Sequence, residues 1–130
     1  MATESPLRKP PNSFQNDKQV VTEWYRQRAY VQFTRRLEIN RARFVEPEQF
    51  QPIALRLQKM TTRWGSMSPG GRLLLNPELV RAPVGAIDYV ITHELCHMAI
   101  PNHSGAFYGL QARVMPDWER RKFRLEQALA

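Results

Sequence analysis

Residues 84–99 constrain the fold more than any other stretch. Val84, Ile87, Val90, Ile91, Leu95 and Met98 recur at three- to four-residue spacings, the pattern of a helix buried over most of its surface. Pro101 ends it, since the residue before a proline is pushed out of helical geometry. The same helix carries His93-Glu94-Leu95-Cys96-His97, an H-E-x-x-H sequence. Two imidazoles and a carboxylate on a buried helix need a joint partner. Positions 93 and 97 lie about 40° apart around the helix and about 6 Å along it, so both imidazoles reach one metal ion. Glu94 sits about 100° from His93. It flanks the ion, placed to take a proton from a water that the ion activates. Leu95 points the opposite way, toward a core.

The chain has only three histidines, and the third, His103, follows six residues after His97. A chain that turns back after Pro101 brings in a third nitrogen. Three protein ligands and one open position is the layout of a catalytic zinc site, so one Zn2+ on His93, His97 and His103 is expected. The spacing H-E-x-x-H-x5-H is also that of metzincins, but Ile100 stands where their glycine belongs. Met115 as a Met-turn is therefore weaker than Met115 as core packing. Glu119 is an alternative third ligand, and His103 is preferred over it. Cys96 is expected to pack rather than ligate. Asp88 is either a surface carboxylate or an acceptor for an imidazole N–H. Tyr108 and Arg63 are candidates to stabilise an oxyanion or to contact substrate. Trp64-Gly65 is expected to fix a strand beside the motif helix, and that strand could take up a substrate backbone by strand addition.

Elsewhere the pattern is that of an α+β domain. Residues 1–18, with Pro6, Pro10 and Pro11, read as a disordered polar arm, and 19–130 as the folded domain. Residues 19–44 lack glycine and proline and read as a long helix with two apolar stripes. One comprises Tyr30, Phe33, Leu37 and Phe44, the other Val20, Trp24 and Val31. Ile53, Leu55 and Leu57 alternate with polar or small residues as a strand. A second strand is expected to run through Met60 to Met67 and a third through Leu73–Leu75, after the turn Ser68-Pro69-Gly70-Gly71. The three are expected to form a small antiparallel sheet. Helices over 104–115 and 117–128 complete the chain.

Several segments together resemble a known family. Arg63-Trp64-Gly65-Ser66, Leu75-Asn76, Ala82-Pro83, Ile87-Asp88-Tyr89-Val90, the H-E-x-x-H run, Asn102-His103-Ser104 with Phe107-Tyr108, and Pro116-Asp117-Trp118 are similar to the YgjP-type metallopeptidase domain. That family is related to the SprT-like and WLM zincins. The likeness runs from about residue 20 to 127 and is densest over 62–122. It implies a zincin-like fold with a sheet on the motif helix, zinc on His93, His97 and His103, and Glu94 as catalytic base. Two features depart from the family pattern. A polar arm replaces a β-rich N-terminal region, and Met67 stands where a cysteine is common.

The function expected from these residues is zinc-dependent peptide-bond hydrolysis on a protein or peptide substrate. One alternative is a metal-dependent endoribonuclease like YbeY, whose histidines share the spacing H-x3-H-x5-H. Against it, Glu94 stands where that family has glycine. Another alternative is a zinc-bearing protein on nucleic acid without peptidase activity. A net charge of +7, with arginine supplying 15 of the 19 basic residues, favours contact with polyanions. No apolar run is long enough to span a membrane, and the polar residues at the N-terminus, lacking a hydrophobic h-region, are not expected to act as a secretory signal. A single cysteine, Cys96, excludes a disulfide framework and suits a reducing cytoplasm. A monomer is the default.

Overall fold

The computed structural model describes residues 18–129, so the expected arm lies outside the described residues except for Lys18. The first helix, α1, spans Lys18–Arg41. Among its described side chains Ala29, Phe33, Leu37 and Asn40 are buried, spaced by three and four along one face. The second expected stripe is not buried at its described side chains, Trp24 and Val31. Val31 is exposed and Trp24 is only half-buried, and Tyr30, expected in the first stripe, is exposed as well. Phe44 lies beyond the helix, where it stacks on Phe50 with ring centroids 3.9 Å apart.

Three strands follow: β1 (Ala54–Leu57), β2 (Gly65–Met67) and β3 (Arg72–Leu75). Their order is β1-β3-β2, with β2 antiparallel to β3 but β1 parallel to it. The sheet is therefore mixed, not antiparallel as the turn signals suggested. Consecutive strands do reverse direction. However, β3 inserts between the first two, and hydropathy patterning carries no information about that order. Residues 60–64, expected to belong to the second strand, instead carry the chain across the end of β3. The Asn76 side chain holds this crossing by donating to the Met60 carbonyl (2.8 Å) and the Arg63 carbonyl (3.1 Å). At the hairpin tip the Gly71 N–H donates to the Ser68 carbonyl, and Gly71 takes φ +92°, a left-handed conformation that glycine adopts without a Cβ penalty.

The motif helix, α2, spans Val84–Cys96, shorter than the expected 84–99. Its end tightens into i→i+3 turns, with His97 N–H donating to the Glu94 carbonyl and Met98 N–H to the Leu95 carbonyl. Every residue from Ala86 to Cys96 except His93 is buried. Helices α3 (Gly105–Val114) and α4 (Trp118–Ala128) then pack against it. Ser104 caps α3, its hydroxyl accepting from the Phe107 N–H. Among the described residues, no helix is long and apolar enough to cross a membrane.

Asp88 corrects the sequence reading. It is neither on the surface nor bonded to an imidazole. It is 4% exposed and takes both prongs of the Arg36 guanidinium, at 2.9 and 2.7 Å. Asn40 donates to the same carboxylate at 2.8 Å, and Arg121 of α4 lies 3.8 Å away. Asp88 thus ties α2 to α1 and α4. Removing it strands a largely buried guanidinium and an amide. Asp88→Ala is expected to lower stability by about 3 kcal/mol, read as a lower denaturant midpoint at unchanged slope.

On the opposite side of α2, β2 makes a close approach at Gly65. A Cβ built there would lie 2.9 Å from Val90 Cγ1, 3.2 Å from Leu75 Cδ2 and 3.3 Å from Glu94 Cγ. Val90 is β-branched on a helix and has little freedom to turn away. Gly65→Ala is therefore expected to push β2 outward and cost about 1–3 kcal/mol. A thermal melt unchanged from the parent would contradict this contact.

Candidate metal and catalytic centre

The end of α2 and the loop after it bring the three histidines together. His93 and His97 project one helical turn apart, and the chain reverses at Pro101 to return His103. His103 Nε2 lies 3.2 Å from His93 Nε2 and 3.1 Å from His97 Nε2. All three ligand atoms fall within 4.8 Å of one another, and they form the group of potential metal ligands found among the described residues.

The imidazoles are held from behind. His97 Nδ1–H donates to the Ile100 carbonyl at 3.1 Å. His93 Nδ1 lies 2.8 Å from Oε1 of Gln111 on α3. Phe107 is fully buried beneath the cluster, with ring centroids 4.9, 4.5 and 5.0 Å from His93, His97 and His103. This apolar floor fixes where the rings can lie. Burial lowers the His93 pKa to about 4, against a hydrogen bond to Gln111 that works the other way. Burial lowers His97 as well. Both are therefore neutral near pH 7, the form with a lone pair to offer.

Glu94 is 8% exposed under β2. Burial pushes its carboxyl up to about 7, while the Arg63 guanidinium and a hydrogen bond from the Met67 backbone N–H pull it down. A group poised there exchanges protons near neutral pH. A dication beside it would favour the carboxylate further.

These groups open into a cleft of about 1030 Å³. Residues 63–71 form one wall, and Lys122, Leu125 and Glu126 of α4 contribute to its lining along with Tyr89 of α2. Within the three-stranded sheet β2 is an edge strand, so the cleft runs beside an edge not paired in the sheet.

The remaining sequence candidates separate. Arg63 is exposed and lines the cleft. Tyr108 does not line it. Its ring stacks against His103 at 6.1 Å and Trp118 at 5.7 Å. Cys96 is fully buried in the core, and burial drives its thiol up to about 12. Met115 is likewise fully buried core, and Glu119 is exposed and outside the histidine group. Sequence reasoning did not single out Gln111, Tyr89 or the cleft-lining face of α4. Glutamine on a helix gave no local signal, and the α4 face becomes a wall only once the helices pack.

Comparison with known proteins agrees with this architecture. Among solved structures, the metallopeptidase zymogen abylysin of Pyrococcus abyssi is similar to this chain. The TM-score is 0.62 at 19% identity, covering 75% of this chain and 94% of that one. At that identity the likeness speaks to the fold. No curated protein matches. The model of the YgjP-like metallopeptidase domain matches residues 2–128, reaching further toward the N-terminus than the stretch from residue 20 that carries the motifs. With nearly the whole chain aligned, the protein belongs to the YgjP-like metallopeptidase family.

Proposed function

We propose that the chain is a zinc peptidase, with one Zn2+ held by His93, His97 and His103 and with Glu94 as general base. The convergence of the three Nε2 atoms carries this reading. Nitrogen ligands on a tetrahedral zinc, each about 2.0–2.1 Å from the ion, lie about 3.3–3.4 Å apart. The separations of 3.1 and 3.2 Å from His103 are close to that. Neutral imidazoles and the absence of a nearby thiolate also suit this donor set.

Bound there, zinc supplies a Lewis acid that polarises the scissile carbonyl and makes water a better nucleophile. The chain's own groups do the rest. Glu94, held by the Met67 N–H, accepts the proton of the attacking water. The same carboxyl then hands that proton to the departing amine. Arg63, on the cleft wall beside Glu94, is the group we assign to the oxygen that gains negative charge, in preference to Tyr108. The free edge of β2 would accept a peptide in extended form, aligning its carbonyl over the centre.

Glu94→Gln keeps the shape of the side chain and removes the base. It is expected to retain stoichiometric zinc and lose at least about 100-fold in hydrolysis of an unstructured protein such as casein. Undiminished turnover in that variant would sink the mechanism. His103→Ala leaves two ligands, and elemental analysis should find little zinc in it. Full metal occupancy in His103→Ala would remove the third ligand from the proposal.

A further inference from the structure

We infer that Gln111 of α3 is the positioning residue for His93: its amide oxygen holds the imidazole in the tautomer that leaves Nε2 free for the metal. The inference rests on the metal site proposed above. Gln111 is fully buried, and its Oε1 lies 2.8 Å from His93 Nδ1. Its Nε2, also buried, has no hydrogen-bond partner among the described residues.

That half-satisfied amide is the informative feature. An orphaned buried donor forfeits the hydrogen bonds it made to water, and a leucine of similar size would avoid that cost. As a space-filler between Phe107 and Met115, glutamine is a poor choice. Its one compensating contact is to His93. An amide offers two ends, and the end facing His93 decides where the imidazole proton sits. With Oε1 toward Nδ1, the proton stays on Nδ1 and the Nε2 lone pair faces His103 and His97. With Nε2 toward Nδ1, the amide would donate, the proton would move to His93 Nε2, and the metal face would be blocked. The oxygen-facing orientation is the one compatible with a ligand. For His97 the Ile100 carbonyl does the same work. A backbone carbonyl cannot reverse, so His93 alone of this pair depends on a side chain.

The test is zinc affinity, measured by competition with a chromophoric chelator, in the full chain and in four variants. Gln111→Leu removes the acceptor and the orphan together. It is expected to weaken zinc binding about 10–100-fold while its metal-free form melts no lower than the parent. Gln111→Glu keeps an oxygen facing Nδ1 and should bind zinc at least as tightly as the parent. A purely structural role predicts the reverse order, with leucine tolerated and a buried acid harmful. Should Gln111→Leu fail to fold, Gln111→Met repeats the deletion with an unbranched side chain of similar length. Zinc affinity within twofold of the parent in the folded Leu or Met variant overturns the inference. His103→Ala, the fourth variant, separates the two levels. Loss of zinc there with no effect of Gln111 removes only the positioning role. A parent chain that binds no zinc removes both.

Discussion

A buried helix bearing ionisable groups is the constraint from which the rest of this fold follows. From Ala86 to Cys96 only His93 retains more than slight exposure, yet the segment holds Asp88, Thr92, His93 and Glu94. Each polar group must find a partner on a neighbouring element, because an unpaired one costs several kcal/mol in an apolar setting. The neighbours are arranged accordingly. Arg36 and Asn40 of α1 meet Asp88, and the same Asn40 reaches Thr92 at 3.3 Å. Gln111 of α3 meets His93, and the Met67 N–H of β2 meets Glu94. The side of α2 that faces α1 is thereby structural, and the side that faces β2 and α3 carries the proposed metal and base residues.

The two sides are coupled through rigidity. The bidentate Arg36–Asp88 pair lies one and a half helical turns before His93, so it fixes the rotation of α2 about its axis. Gly65 sets how near β2 approaches, and thus how deeply Glu94 is buried. Depth of burial is the largest influence on the Glu94 carboxyl. A change of packing at Gly65, whose own Cβ would meet Glu94 Cγ, therefore bears directly on the burial of the proposed base.

Local spacing made the grouping of the candidate site residues legible from sequence. H-E-x-x-H on an apolar period states which residues share a helix face, and Pro101 marks where the chain must turn toward His103. The α+β class and the four helices followed from the same periodicities, with ends misplaced by a few residues. What was not legible depends on contacts far apart in the chain. Asp88 meets Arg36 across 52 positions, and nothing near Asp88 announces a cation. The insertion of β3 between β1 and β2 is a choice among strand orders that share the same alternation. The single buried stripe of α1 reflects how many neighbours that helix has, and Tyr30 and Val31 carry no local mark of being left in water.

The arginine surplus takes on a different meaning beside these contacts. Read from composition, +7 pointed to polyanions. In the fold, several guanidinium groups serve as internal fasteners. Arg26 donates to the Leu57 carbonyl, Arg41 to the carbonyls of Phe50 and Pro47, and Arg121 to that of Gly85. Arg43 donates to Asn40 Oδ1 and the Val114 carbonyl. The Leu57 carbonyl ends a strand, the Phe50 carbonyl ends a short turn and the Val114 carbonyl ends α3, places where a backbone carbonyl lacks a partner in regular structure. A guanidinium offers five donors in a fixed plane and can satisfy two such sites at once, while an ammonium is a compact point charge on a flexible stem. A small chain with little regular sheet, no disulfide and many loop carbonyls gains more from arginine than from lysine. The preference for arginine over lysine is thus accounted for in part by the backbone carbonyls that these guanidinium groups satisfy, before any external partner is considered.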